Sequence, residues 1–363
     1  SDIMKRIFTL LAAGLVSAAA VIPGYACTGI ALTAKDGSRV VARTTEWGSS
    51  VLNCNYVVVP RGHRYQSFTP TGANGVEYTS KYGYVGICTE LDEFVVEGMN
   101  ETGLSAGLFF FPGYGEYAEY NPQHNCRTLS DMQFVSWVLS CFSSIDEVVG
   151  ALSDIELVTL HNAIGSVHWR ISEPSGRMVV LEVVGGVPHF YENKLGVLTN
   201  SPGFEWQMTN LNNYINLYPG TVSGYELMDG VGLRSFGAGT GMLGIPGDVT
   251  PPSRFVRAAF YAASAPQQNT GHQTVIQSFQ ILNNFDIPVG VEHPKGESPE
   301  GMLSATQWTT ASDQKALCFY YKTGWNQTIR CIDLKSVNFG KTSYQSHPLD
   351  EVKEQPVQML KIR

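Results

Sequence analysis

Cys27 directly follows a segment laid out like a secretory leader, so cleavage before it would leave a thiol and a free α-amine on one residue. Thiols titrate near about 8.5 and α-amines near about 7.7–8.0, so such an amine is partly neutral at physiological pH. It can take the proton of its own side chain and later return it to a leaving amine, which is nucleophilic catalysis with a built-in base. An amide nitrogen cannot do this, so the chemistry requires the cut. It also needs a cation beside the sulfur, a carboxylate to orient the amine and donors for a tetrahedral oxyanion. Arg43 and Glu46, on the strand returning towards Cys27, fit the first two needs, although each also reads as an ordinary strand-end charge.

The leader reading rests on the first 26 residues. Ser1, Asp2 and Ile3 precede Met4 and read as an addition ahead of the natural start; Lys5 and Arg6 form a basic n-region, and Ile7 to Ile22 carries no charge. Gly24 and Ala26 supply small residues at −3 and −1. The apolar run is short of the roughly 20 residues a membrane-spanning helix needs, so residues 27–363 are expected as one exported, soluble catalytic domain, periplasmic or extracellular. A lipid-modified Cys27, making the chain an exported lipoprotein or binding protein, is the rival reading. It fits Gly24 and Tyr25 poorly, because that processing favours a Leu-like residue at −3 and a small one at −2.

The net charge of −8 becomes −9 once Lys5, Arg6 and Asp2 leave, which argues against a nucleic-acid partner. Seven cysteines leave at least one thiol unpaired, and Cys27 is the natural candidate. The other six show no C-x-x-C pair, so zinc lacks support and disulfides stay open; Cys88 and Cys318 sit in apolar runs and read as buried hydrophobes.

These residues must be held by sheets. Cys27–Ala34 and Arg39–Glu46 read as a hairpin about Asp36-Gly37, followed by strands at Tyr56–Pro60, Tyr82–Cys88, Glu93–Gly98 and Leu104–Phe111. Helices are expected from Ser130 to Phe142 and after Ser144, with Glu147 at the capping-box position. Strands return at Ser166–Ser172, Met178–Val184 and Leu195–Asn200, and the Gly- and Pro-rich stretch Tyr218–Pro252 reads as a long ordered loop. Helices at Ser253–Ala263 and Thr274–Asn283 precede two or three strands between Ser304 and Leu334. This order suits an α+β sandwich of antiparallel sheets.

Three motifs invite other functions. Gly103-Leu104-Ser105-Ala106-Gly107 matches the nucleophile elbow of serine hydrolases, but it leads into a strand rather than a helix. Gly239-Thr240-Gly241-Met242-Leu243-Gly244 matches a dinucleotide fingerprint, yet Pro246 follows where a helix should begin. The closest histidines, His161 and His168, lack metal-ligand spacing, and His168 beside Trp169 reads as a satisfied core or interface residue.

The blocks Cys27-Thr28-Gly29-Ile30-Ala31-Leu32, Ala42-Arg43-Thr44, Gly98-Met99-Asn100-Glu101, Gly196-Val197-Leu198-Thr199-Asn200-Ser201-Pro202 and Ser253-Arg254-Phe255 together resemble the choloylglycine hydrolase family. That family holds bile salt hydrolases and penicillin V acylases among the N-terminal-nucleophile hydrolases. The resemblance implies a four-layer αββα sandwich, a homo-oligomer that is commonly tetrameric, no cofactor and no metal. It implies Cys27 as nucleophile and base, Arg43 beside the sulfur, Asn200 as a side-chain donor to the oxyanion and Arg254 as a second active-site arginine. Glu46 stands where the family usually has Asp holding the amine. Many bile salt hydrolases carry Asn where Phe110 stands and the acylases an aromatic, the backbone N–H serving the oxyanion hole in either case. Trp47 resembles a pocket tryptophan of the Gram-negative acylases. The implied reaction is hydrolysis of glycine- or taurine-conjugated bile acids through a thioester, with penicillin V or an acyl-homoserine lactone as the alternative substrate.

Overall fold

The Asp36-Gly37 turn closes an antiparallel hairpin of β1 (Tyr25–Thr33) and β2 (Arg39–Trp47), with Gly37 at φ +83°, where a side chain would be strained. The computed structural model describes residues 25–48, 50–160, 165–293, 295–296, 301 and 304–362. The leader reading of residues 1–24 and the histidine at 161 lie outside the described residues.

The remaining strands complete two sheets. In chain order they are β3 (Cys54–Val59), β4 (Tyr84–Thr89), β5 (Leu91–Asn100), β6 (Ser105–Phe110), β7 (Val167–Ser172), β8 (Met178–Val184) and β9 (Val187–Glu192). β10 (Thr306–Asp313), β11 (Cys318–Thr323), β12 (Arg330–Asp333) and β13 (Gln345–Pro348) follow. One sheet has the order β1-β2-β10-β11-β12 and the other β9-β8-β7-β6-β5-β4-β3-β13; all their pairings are antiparallel.

The helices are α1 (Phe134–Cys141), α2 (Ile145–Leu152), α3 (Phe204–Asn210), α4 (Pro251–Ser264) and α5 (Gly271–Leu282). α4 and α5 cover the five-stranded sheet, α1 covers β5 and β6, and β1 meets β6 between the sheets. The result is the expected four-layer αββα sandwich. One core cluster packs Phe134, Trp137 and Trp169 beneath α1 and extends to Trp308 and Phe319 of the five-stranded sheet; another joins Ile30, Phe109, Phe255 and Phe279 around Cys27.

Several local expectations change. Leu195–Asn200 is not a strand: Gly196 turns at φ +79° against Ala31, and the segment makes only an isolated bridge between Leu198 and Gly29. The Tyr218–Pro252 loop contains an exposed hairpin, Tyr225–Met228 with Val231–Leu233. The hairpin Arg64–Thr69 with Gly72–Thr79 and the strands β9 and β13 had no counterpart in the sequence reading. The helix expected from Ser130 starts as a 3-10 turn over Asp131–Gln133. Ser144 does cap α2, accepting from the Glu147 amide at 3.3 Å, while the Glu147 carboxylate turns to Ser143 instead.

Candidate active site

Strand register decides which side chains meet. Cys27 lies opposite Thr45 and Gly29 opposite Arg43, so the period of two puts Cys27, Gly29 and Arg43 on the face turned towards β6. The sheets approach so closely at Gly29 that a Cβ there would lie 2.9 Å from the Phe109 ring. Arg43 fills the neighbouring space almost wholly buried, its guanidinium 4.0 Å from the Phe109 ring centre.

Arg43 is held on several sides. Nη1 donates to the Leu108 carbonyl and lies 3.7 Å from Glu97, a carboxylate that also pairs with buried Arg170. Nη2 is left to donate to Cys27 Sγ at 2.8 Å. Burial, and after it the Glu46 carboxylate, pushes the Cys27 thiol up, while Arg43, Arg254 and the Phe110 backbone N–H pull it down. The net direction is upward, so the arginines and the amide dipole only partly offset desolvation and the Glu46 charge while Cys27 remains acylated by Ala26.

A second set of donors comes from outside the hairpin. The Leu198–Gly29 bridge brings Asn200 to the N-terminal end of β1, where its Oδ1 accepts from Cys27 N at 2.9 Å and from Arg254 Nη2 at 2.8 Å. Two donors on one atom identify it as the oxygen. The amide Nδ2 therefore donates to the Phe110 carbonyl at 2.7 Å and keeps a second hydrogen. Arg254, fully buried in the first turn of α4, also reaches the Cys27 carbonyl at 2.5 Å and Thr28 Oγ1 at 2.9 Å. The Phe110 backbone N–H lies on the sulfur itself.

Cys27, Arg43, Asn200, Arg254 and Phe110 thus converge. Glu46 lies on the opposite face of the hairpin but within electrostatic reach of the thiol, and Trp47 lies on the Cys27 face at the strand end. Glu46 pairs with Ala26 on the opposite face of β2, buried, with Thr306 Oγ1 donating to Oε1 at 3.3 Å. The Cys27 nitrogen is held by Asn200 rather than by Glu46. Trp47, opposite Tyr25 at the strand end, donates from Nε1 to Ser50 Oγ at 3.0 Å.

Sequence reading missed Glu97, a charge inside an apolar strand, which is a readable sign of a buried pair. It also missed Glu292, which no pattern marks: a loop brings it to within electrostatic reach of Glu46 and Arg254. Burial pushes Glu46 up to about 8 and Glu292 up to about 7, against the pull of Arg254. A raised carboxylate means that the folded chain binds more protons than the unfolded one between the two pKa values. Stability is therefore complete below about pH 4.5 and falls as pH rises towards 8. In a chain that retains Ala26, Glu46→Gln should relieve on the order of 3–5 kcal/mol at pH 9 and almost nothing at pH 4.5. Urea melts at both pH values check this; equal effects at the two would contradict it.

The competing motifs resolve into packing. Ser105 is fully buried at the start of β6 and accepts from Arg170 at 3.1 Å, while Gly107 leaves room for the Glu97 carboxylate, which a Cβ would meet at 2.2 Å. Gly239 leads into a single 3-10 turn instead of opening a long helix after a strand. All seven cysteines carry free thiols. Among the described residues, no three His, Cys, Asp or Glu side chains converge as a metal site.

An αββα sandwich with a thiol near the head of the edge strand β1, facing an arginine and an amide donor set, has the layout of the N-terminal-nucleophile hydrolases. Residues 27–347 match the model of the linear amide C–N hydrolases, choloylglycine hydrolase family, and the chain belongs to that family. It is similar to a bile salt hydrolase/transferase of Clostridium perfringens, 33% identical over 318 residues that make up 86% of this chain and 93% of the relative. A penicillin V acylase of Pectobacterium atrosepticum is 25% identical over 335 residues, 86% of this chain and 81% of the relative. A solved mutant of a conjugated bile acid hydrolase from Clostridium perfringens superposes with a TM-score of 0.80 at 30% identity, covering 92% of this chain and all of that one.

Proposed function

We propose that the chain is a bile salt hydrolase that cleaves the amide of glycine- or taurine-conjugated bile acids through Cys27. The observation that carries the mechanism is the 2.8 Å contact from Arg43 to a sulfur that also faces the Phe110 N–H and adjoins Asn200. Support for the acyl group comes from relatives named bile salt hydrolases at about 30% identity over most of the chain.

The cycle starts with removal of residues 1–26 as an export leader. The freed Cys27 amine takes the thiol proton, and the sulfur attacks the amide carbonyl. The Phe110 N–H and the spare Asn200 hydrogen stabilise the oxyanion. Collapse breaks the C–N bond, the ammonium gives its proton to the departing amine, and a thioester remains. Water, losing a proton to the Cys27 amine, then releases the bile acid and restores the thiol. Glu46, across from the departed Ala26, is the nearby carboxylate for the new ammonium.

A second reading keeps the mechanism and changes the substrate, to penicillin V or an acyl-homoserine lactone. The aromatic Phe110 and the similarity to a penicillin V acylase favour it. Amine release by the processed protein from glycine and taurine conjugates, penicillin V and acyl-homoserine lactones, with Cys27→Ser as control, separates the two. Absence of turnover on every conjugated bile salt would sink the first reading.

We also read the protein as an exported homotetramer. The Tyr225–Leu233 hairpin is exposed throughout, with Leu227 59%, Met228 64% and nearby Phe236 fully accessible, an apolar arm suited to another subunit. Light scattering on the processed protein tests this; a monomer at micromolar concentration would rule it out.

A further inference from the structure

β7 carries a fully buried histidine, His168, between the apolar residues Val167 and Trp169. Burying an imidazole costs free energy unless both ring nitrogens find partners. Here they do: Nδ1 lies 3.1 Å from Glu182 Oε1 and Nε2 lies 3.0 Å from the Thr199 carbonyl. A carbonyl only accepts, so Nε2 bears a hydrogen. The Nδ1–Oε1 contact joins an acceptor carboxylate to the other ring nitrogen, so the dyad must hold one more proton between them.

The partners are informative. The Thr199 carbonyl belongs to the peptide that joins Thr199 to Asn200, and the Thr199 hydroxyl is tied to Pro251 O at 3.1 Å, at the head of the helix bearing Arg254. The His168 ring stacks on Phe111 with centroids 4.4 Å apart and planes within 5°, while His168 pairs with Phe109 in the β6–β7 register. Glu182 Oε1 also accepts from the Phe204 amide at 2.9 Å, anchoring the start of α3 just beyond Asn200. One imidazole therefore touches both chain segments that supply the oxyanion donors.

We propose that His168, oriented by Glu182, is a positioning residue that sets the spacing between the Asn200 side chain and the Phe110 N–H. The proposal rests on the reading of those two groups as the oxyanion hole. Of the two expectations for His168, a satisfied core or an interface residue, its burial fits the first, but neither anticipates this placement. Displacing one donor by about 1 Å is enough to cost on the order of 100-fold in rate.

The test compares processed wild type with His168→Leu, Asn200→Ala and the double variant, on whichever acyl amide the wild type turns over. Alkylation of Cys27 by iodoacetamide is measured alongside, because it needs the thiol but no oxyanion hole. His168→Leu should lower kcat on the order of 10- to 100-fold. KM and the alkylation rate should stay within about twofold, and the substitution should add nothing to Asn200→Ala. His168→Gln, whose amide can still donate to the Thr199 carbonyl, should recover most of the loss.

An unchanged kcat in folded His168→Leu overturns the proposal, as does a loss that multiplies with Asn200→Ala or an alkylation rate that falls with kcat. If the leucine variant does not fold, Glu182→Gln carries the same cycle: a kcat loss absent from the Asn200→Ala background supports the proposal, and no loss overturns it. Full turnover by Asn200→Ala alone is a different pattern. It would overturn the oxyanion reading and the proposal together.

Discussion

Cys27→Ala is expected to abolish amide hydrolysis, a loss on the order of 10⁴–10⁶ in kcat, with the fold intact. The sulfur is both the attacking atom and the leaving group of the thioester, and Arg43 Nη2 addresses it while Nε and Nη1 are turned to the Thr44, Val96 and Leu108 carbonyls. Alanine keeps the strand and removes one buried sulfur, so melting should move little. The companion result concerns the nitrogen. A chain in which Ala26 stays attached should be as inactive as Cys27→Ala despite a full complement of thiol, because its Cys27 nitrogen is an amide donating to Asn200. Mass spectrometry of the N-terminus alongside the assay reads both; turnover by uncut chain would remove the amine from the mechanism.

Asn200→Ala is expected to lower kcat by about 10²–10³-fold, or about 2.7–4 kcal/mol of transition-state stabilisation. The amide is oriented before substrate arrives, because Cys27 N and Arg254 fix its oxygen and Phe110 O takes one of its two hydrogens. The other is the hydrogen the oxyanion would receive. Removing the side chain also strips a partner from buried Arg254, which should cost about 1–3 kcal/mol of stability. Assays below the melting transition, with KM measured beside kcat, keep the two effects apart. A change in KM with kcat preserved would place Asn200 in ground-state binding instead.

Both expectations started from residue types and ended in geometry. The hairpin was legible because its Asp36-Gly37 turn and flanking β-formers are local, and its register follows from the turn. That register alone puts Arg43 on the same face as Cys27. It also puts Glu46 on the other face, beside Ala26, which spacing could not separate from contact with the thiol. Asn200 was legible only through its motif, and the strand expected around it failed because Gly196 and a single bridge to β1 hold that segment. Phe110 and Arg254 reach the site from another sheet and from a helix, positions that no local pattern encodes.

By itself, the sequence determined the nucleophile candidate, its hairpin, the family and the sandwich class, since turns, periodicity and motif order are properties of neighbours along the chain. Only the tertiary structure decided that Asn200 accepts from the Cys27 amide while Ala26 stays attached, that Glu292 joins Glu46 around Arg254, and that burial together with Glu46 outweighs two arginines at the thiol. Those outcomes depend on desolvation and on distances between residues far apart in sequence. Both are set when the two sheets close over each other.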